Sequence, residues 1–498
     1  MRTVIESQRS IGQIEIGKVV IDVTSRDDIP LILLGLQQIY ADKALRDKVF
    51  KILEEIVPVK EDDEGNVSPV SSERGRPGMH QWSILVLGCL RLCLNTDYDR
   101  VVELANEHKT LRELLGHSGL ESDYRYHLQT VKDNLRLFTA EILDRINAEI
   151  IRAGYQLLGQ DIDARMVARC DSFVVETDVH FPTDFNLLTD AIRVVVRECV
   201  QLCEVHSLPG WRQHGYNLRK LKKAYRKLQK MKHSTSKDAA RKAAKASEIE
   251  GVCREYLDQA QKLLKRALNT LASLKNDCHL PDTLLDKLKT FCAHAERQID
   301  QITRRVLQGE KIPHEEKVFS LFEAHTEWIN KGKAGVPVEL GVRVCILEDR
   351  SGFILHSQVM EKTTDDQVAV AMIQAAKEKF PSLSSVSFDK GFHSPSNQEE
   401  LKKLLACVVL PKKGKCSKDQ LERECAPEFK RARREHSAVE SAINALEVHG
   451  LDVCPDHGID GFKRYVGLAV VSRNIQQLGA IIRSQERESL AEALKKAA

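Results

Sequence analysis

The stretch DDQVAVAMIQAAKEKFPSLSSVSFDKGFHSPSNQEELKKLLACVVLP, residues 365–411, decides the fold. DDQVAVAMIQAAKEKF carries apolar residues at helical spacing, SSVSFD is a short β-like run, SNQEELKKLL is helical again, and ACVVLP reads as a second strand. Strands and helices alternating at this length build a sheet whose strands run parallel. Just upstream, KVFSLFEAH, VELGVRVCILE and GFILHSQVM are three β-like runs punctuated by Gly or Pro, an expected antiparallel meander. Together the two halves predict an α/β chain with a mixed sheet.

Two acids follow apolar runs in strand-like text: Asp178 in FVVETDVH and Asp389 in SVSFDKGFH. Ligands and chemistry favour the C-terminal edge of strands in α/β sheets, and Gly391 after Lys390 allows a tight exit from the second run. Residues 418–446 read as one long helix. Its face through Arg433, His436, Glu440, Asn444 and Glu447 is polar, beside a packing surface of Ala438, Val439, Ala442 and Ile443. Glu440 is the expected third acid, with Glu435 and Glu447 as rivals. Asp171, Glu176, Asp184 and Asp190 are set aside, the first, third and fourth because they fall outside the apolar strand. Carboxylates from two strand ends and a helix suit a pair of divalent ions about 3.5 to 4 Å apart. Singly, each acid reads equally well as a turn former, a helix cap or a solvated residue.

The rest of the chain divides by composition. Residues 1–57 open with an expected hairpin around IEIGKVVIDV and continue into the helix LILLGLQQIY, capped by Ser25 or Asp27. Residues 58–78, rich in Pro, Ser, Gly and charge, are an expected linker. Residues 79–165 carry several short helices, a pattern shared by helix-turn-helix DNA readers and ordinary bundles; in the first case Arg74, Arg76, Lys109 and Arg112 are the phosphate contacts. Residues 166–211 are assigned to the first part of the core and 212–310 to a basic helical insertion. From Arg212 to Lys245 there are thirteen Lys or Arg against the single acid Asp238. Leu218, Leu221, Tyr225 and Leu228 make this helix amphipathic, and Leu257, Ala260, Leu264, Ala267, Leu271 and Leu274 continue as a coiled-coil seam. Such a seam serves a dimer or an intramolecular hairpin equally. Arg219, Lys220, Lys222, Lys223, Arg226 and Lys227 are the expected backbone contacts to DNA, since clustered cations release counterions from phosphates. A solvated coiled-coil face is the competing reading. Residues 311–485 complete the core and end in an amphipathic helix marked by Leu468, Val471, Ile475, Leu478 and Ile482; residues 486–498 are a tail.

Composition excludes several classes. With 498 residues and 42% hydrophobic content the chain can bury substantial cores. A formal charge of +3 leaves any nucleic-acid preference to local patches. The thirteen cysteines contain no CxxC pair, and Cys454-Pro-Asp-His457 has no second half, so reduced core thiols are expected and structural zinc is not. The greasiest run, SILVLGCLRLCL from Ser83 to Leu94, is too short for a bilayer span of ~20 residues, and MRTVIESQRSIGQ has no apolar export signal. No membrane segment is expected.

Several blocks together resemble a family. FVVETDVHFPTDFNLLTDAIR, KVFSLFEAHTEWINKGKAGVPVELGVRVCILE, VMEKTTDDQVAV, SFDKGFHSP and EHSAVESAINALEVHGLD are similar, in this order, to blocks of insertion-sequence DDE transposases of the ISNCY-like group. GRPGMHQWSILVLGCLRLCLNTDYDRVVELANEHKTLRELLGH likewise resembles the helical domain that precedes their catalytic core. The resemblance spans roughly residues 74 to 480. It implies a ribonuclease H-like core, with Asp178, Asp389 and Glu440 binding two Mg²⁺ ions (Mn²⁺ as substitute). It also implies cleavage that exposes a 3′-hydroxyl and transfer of that hydroxyl into target DNA. Double-stranded DNA, both element ends and target, is the implied partner, bound by a homodimer in a prokaryotic cytoplasm close to the nucleoid. Lys390, Arg433 and His436 are implied contacts near the phosphate. Some related transposases carry Tyr, Arg and Lys seven before, four before and seven after the Glu; here those positions hold Arg433, His436 and Glu447. A nuclease on the same fold without strand transfer, or an inactive DNA-binding protein, shares most of these features.

Overall fold

The computed structural model describes residues 3–5, 11–61, 67–69, 78–118, 123–231, 235, 238–276, 280–330 and 337–497. The chain forms two compact units, one of residues 1–178 and 327–498, the other of residues 179–326. Division falls at 178/179 and 326/327, so the segment 179–211, assigned from sequence to the core, belongs to the helical unit.

The first unit starts with α1 (Asp28–Ala41), capped by the Asp27 carboxylate on the Ile29 amide, and α2 (Lys43–Leu53). The expected hairpin in IEIGKVVIDV is absent: residues Ile16–Lys18 form one 3-10 turn in otherwise irregular chain. Inside the expected linker, β1 (Val59–Glu61) pairs antiparallel with β2 (Val67–Pro69); Arg74 and Arg76 lie outside the described residues. Next come α3 (Gln81–Cys93), α4 (Tyr98–Glu107), α5 (Lys109–Leu114), α6 (Leu128–Leu135) and α7 (Ala140–Leu157). Every residue of α3 is buried, Arg91 included. Arg112 is tied to the carbonyls of Ala105, Asn106 and Tyr124, which makes it a clamp within the helices.

The second unit is a four-helix bundle: α8 (Asp184–Val205), α9 (His214–Gln229), α10 (Ala239–Asn276) and α11 (Asp282–Ile302). Leu257, Ala260, Leu264, Ala267 and Leu274 of α10 are buried in a core shared with α8, α9 and α11. The heptad-like seam is therefore taken up inside the chain, with Pro281 turning the hairpin at the N-cap of α11. In α9, Leu221, Ala224 and Leu228 face inward, while Arg219, Lys220, Lys222, Lys223, Arg226 and Lys227 are exposed. Only Lys227 among these six makes an ion pair, 3.4 Å to Glu255, among the described residues.

Among the described residues the sheet of the first unit has seven strands: β3 (Met166–Thr177), β4 (Glu327–Asn330), β5 (Val338–Asp349), β6 (Ile354–Met360), β7 (Leu383–Phe388), β8 (Cys407–Val409) and β9 (Val453–Cys454). KVFSLFEAH is not one of them; the strand of that region is EWIN, because residues 318–326 belong to the helical unit. β5 lies antiparallel between β3 on one side and β6 and β4 in tandem on the other. On the far edge of β3, β7 runs parallel along residues 166–170 and β9 along 176–177, with β8 parallel outside β7. Among the described residues, the edge of β3 from 171 to 175 has no strand on that side.

One face of the sheet, through Phe173, Val175, Val342, Val344 and Ile346, shares a core with the N-terminal helices and with α17 (Gly458–Ala497). The N-terminal helices are thus built into the core around the sheet. A buried amide pair fixes them: Asn474 Nδ2 donates to Asn147 Oδ1 at 2.7 Å, and both side chains bond the backbone of Ile354. Unsatisfied amides at this depth would cost about 1 to 3 kcal/mol each. The other face, through Met166, Ala168, Cys170, Cys345 and Leu347, is covered by α12 (Asp365–Lys379) and α13 (Pro395–Leu404). The expected single helix 418–446 is three: α14 (Lys418–Cys425), α15 (Pro427–His436) and α16 (Val439–Leu446). Pro427 cannot continue α14, and a tight turn at Ser437 and Ala438, with bonds from their amides to Arg434 and Glu435, separates the other two. No helix among the described residues is long and apolar enough to cross a membrane.

Candidate active site

β3 alternates: Met166, Ala168 and Cys170 are buried, while Val167, Arg169 and Asp171 are only half-buried on the opposite face. Parallel register sets Cys170 opposite Phe388. The next residue on each strand is therefore an aspartate, Asp171 on β3 and Asp389 just past the end of β7. Asp389 caps a 3-10 turn of residues Lys390–Phe392 by accepting from the Gly391 amide at 3.4 Å. A Cβ on Gly391 would stand 2.8 Å from Asp365 Oδ2, so glycine lets the turn lie against the start of α12. Asp365 in turn accepts a 2.6 Å hydrogen bond from the Ser172 hydroxyl.

Burial pushes the Asp171 carboxyl up, and the negative charges of Asp389, Asp365 and Glu440 push it further, to about 6; the Ser172 amide, 2.8 Å from Oδ1, opposes this. Four acids from β3, α12, the end of β7 and α16 thus act on one place, beside the stretch of β3 that pairs with β5 on one edge and, among the described residues, with no strand on the other. α16 packs on β3, and Glu440 is exposed on it. The rival Glu435 is engaged elsewhere, by Arg350 and Arg431, which hold its carboxyl below the usual range.

His436, at the end of α15, meets the Ser387 hydroxyl through Nδ1 at 3.0 Å, while its buried Nε2 has no partner among the described residues. Burial holds its pKa down, although Asp389 and Glu440 pull it up. Arg169, two residues before Asp171 on the same face, is paired with Glu348 at 3.1 Å. Lys390 and Arg433 are exposed.

Asp178 is not in this cluster. It is the first residue after β3, and it lines a separate cleft of about 900 Å³ with Arg91, Lys132, Arg136, Asp456 and Arg464. Here Asp456 is held between Arg91 at 3.1 Å and Arg464 at 3.2 Å, and Arg91 lies over the rings of Tyr98 and Tyr465. The residue brought beside Asp389 is Asp171, which sequence reasoning sets aside because the strand reads as starting at its apolar half. The alternation over residues 166–171 is the available signal. Asp365 escapes sequence reasoning as well: at the start of a helix it reads as an ordinary first-turn acid.

The four acids offer hard oxygen donors, the set that suits Mg²⁺ or Mn²⁺. Like-charge crowding around a half-buried carboxyl is relieved by a cation. Among the described residues, no three His, Cys, Asp or Glu side chains stand close enough to grip an ion as placed. The fit rests on donor chemistry and shared charge.

No protein-family model matches this chain, and no curated protein or solved structure matches it significantly.

Proposed function

We propose that the chain is a DDE transposase with a ribonuclease H-like core, whose catalytic acids are Asp171, Asp389 and Glu440. The observation that carries this reading is the crowding of negative charge on Asp171 by acids from three other elements of the same sheet unit. The mixed sheet, antiparallel from β3 to β6 and parallel from β3 to β8, is in keeping with such a core. Asp171, Asp389 and Glu440 would hold Mg²⁺, with Asp365 steadied by Ser172 behind them. A bound divalent ion supplies activation of the attacking oxygen and stabilisation of the leaving one in phosphoryl transfer.

The chain's own residues do the rest by position. Asp389 is oriented by the Gly391 amide, and Asp171 by the Ser172 amide. His436 is turned by Ser387, and burial holds its pKa down, so it supports the site from beneath, its buried Nε2 having no partner among the described residues. The exposed cations of α9 hold double-stranded DNA by its backbone. Because the α10 seam is consumed within its unit, a homodimer on DNA forms through other surfaces.

Incubation of the full chain with labelled DNA ends and a target plasmid, with Mg²⁺ or with chelator, tests the reading. Metal-dependent nicks and joined products are expected. Nicks without joining reduce the activity to that of a nuclease, and no metal-dependent product at all removes the catalytic reading.

A further inference from the structure

Beside the acid cluster, between the sheet and α15, lies a groove of about 450 Å³. Ser387, the partner of His436, is on its wall, and Arg165, Arg169, Arg350 and Arg431 supply four guanidinium groups. Arg169 is engaged by Glu348, whereas Arg165 has no ion pair among the described residues. The other two arginines share one anion. Glu435 Oε2 accepts from Arg350 Nη2 at 2.5 Å and Oε1 from Arg431 Nε at 3.0 Å, so each oxygen of the carboxylate has its own guanidinium.

Guanidinium groups grip the two non-bridging oxygens of a phosphodiester in the same manner. The arginine side chains are 55% and 80% exposed and that of Glu435 is 33% exposed, so a strand of DNA can reach them. Exposed ion pairs of this kind are weak and exchange readily. We propose that Arg350 and Arg431 form a phosphodiester clamp for the DNA substrate, occupied by Glu435 in the free protein and surrendered to a backbone phosphate on binding. The proposal rests on the reading of the neighbouring acids as a DNA-processing site. DNA fits better than an acidic peptide because Arg165 adds a further guanidinium along the groove, whose lining also holds Glu428 and the Glu348-paired Arg169. Repeating phosphates match such a line whatever their sequence.

The test is binding of a labelled 30-bp duplex to the full chain in chelator, so that no cutting intervenes, at about 0.1 M salt, where the Debye length is about 10 Å. Glu435→Gln frees the clamp and is expected to tighten binding about two- to fivefold, the strength of an exposed ion pair. The double variant Arg350→Gln/Arg431→Gln is expected to bind more weakly. Its plot of log affinity against log salt should be shallower by about 0.9 for each phosphate that the variant no longer neutralises. A purely structural bridge would lower the melting temperature in these variants without tightening binding. Equal or weaker binding by Glu435→Gln, or an unchanged salt slope in the double variant, overturns the clamp; if the double variant does not fold, Glu435→Gln alone decides. Preference for polyglutamate over the duplex also overturns it. If the wild-type chain binds and cuts DNA but Glu435→Gln gains nothing, only the clamp falls; if it binds no duplex, both readings fall together.

Discussion

An aspartate stands in the middle of β3 and another just past its tip, and the two have opposite surroundings. Asp171 sits among other acids, with its carboxyl pushed up to about 6, where β3 has no strand on one side among the described residues. Asp178, about 23 Å further along at ~3.3 Å per residue, faces a cleft in which the arginines Arg91 and Arg464 are matched to Asp456. Crowded like charges are costly unless something else uses them, whereas matched charges hold a fold together. The contrast assigns chemistry to the middle of the strand and support to its tip.

The largest effect that can break this contrast is on activity. Asp171→Asn is expected to lower metal-dependent DNA cleavage by about a thousandfold or more, about 4 kcal/mol in the barrier, while Asp178→Asn stays within about threefold of wild type. Initial rates on a supercoiled plasmid measure both. If Asp178→Asn abolishes cutting in a folded protein while Asp171→Asn cuts normally, the site belongs at the tip and the cluster around Asp171 is incidental.

Stability should respond in reverse at the tip. Asp456 is the shared counter-ion of Arg91 and Arg464, and the three side chains are only 9%, 5% and 13% exposed. Removing one partner of a buried pair leaves the other charge uncompensated, at a cost of about 3 to 5 kcal/mol. Asp456→Asn is therefore expected to destabilise the chain by about 3 kcal/mol, visible as a lower urea midpoint, with cleavage per folded molecule unchanged. A stable Asp456→Asn protein would show that the network at the tip is not a support.

Much of this arrangement is legible in the sequence, for physical reasons that also mark where legibility stops. Alternation of VELGVRVCILE, GFILHSQVM and the block 365–411 points to β5 to β8 with α12 and α13, since period and length agree. Asp389 is legible because an apolar strand leads straight into it. Asp171 is not, because the first half of β3, MVARCD, is apolar on one face only, and its polar face reads as a loop. Pro427 announces the break in the helix 418–446 but is outweighed by the run of helix formers. KVFSLFEAH has the composition of a strand yet lies in the helical unit, where Leu321 joins the bundle core and Val318 packs against it. Which acids share a field cannot be read locally at all: it depends on the register of β3 against β7, a non-local pairing.

The smallest expected effect is on the pH dependence of stability at Asp171. Asp171 in the folded chain has its carboxyl raised from an ordinary 3.8 to about 6. The folded state therefore holds this proton more tightly than the unfolded chain does. Stability from the group is full below about pH 4, falls as pH rises towards 6, and is at its lowest above that. An asparagine cannot ionise, so Asp171→Asn should be more stable than wild type above pH 7 and no different at pH 4. A shift of this size corresponds to at most about 3 kcal/mol. Because the site is half-open to water and salt, about 1 kcal/mol is the expected gain. Mg²⁺ should reverse it, stabilising the wild type by offsetting the crowded charge and leaving the variant nearly unmoved. Urea melts of both proteins at pH 4.5 and 8, with and without Mg²⁺, measure this. Equal stability at both pH values would mean that the acids around Asp171 do not share a field, and the middle of β3 would lose its claim to chemistry over the tip.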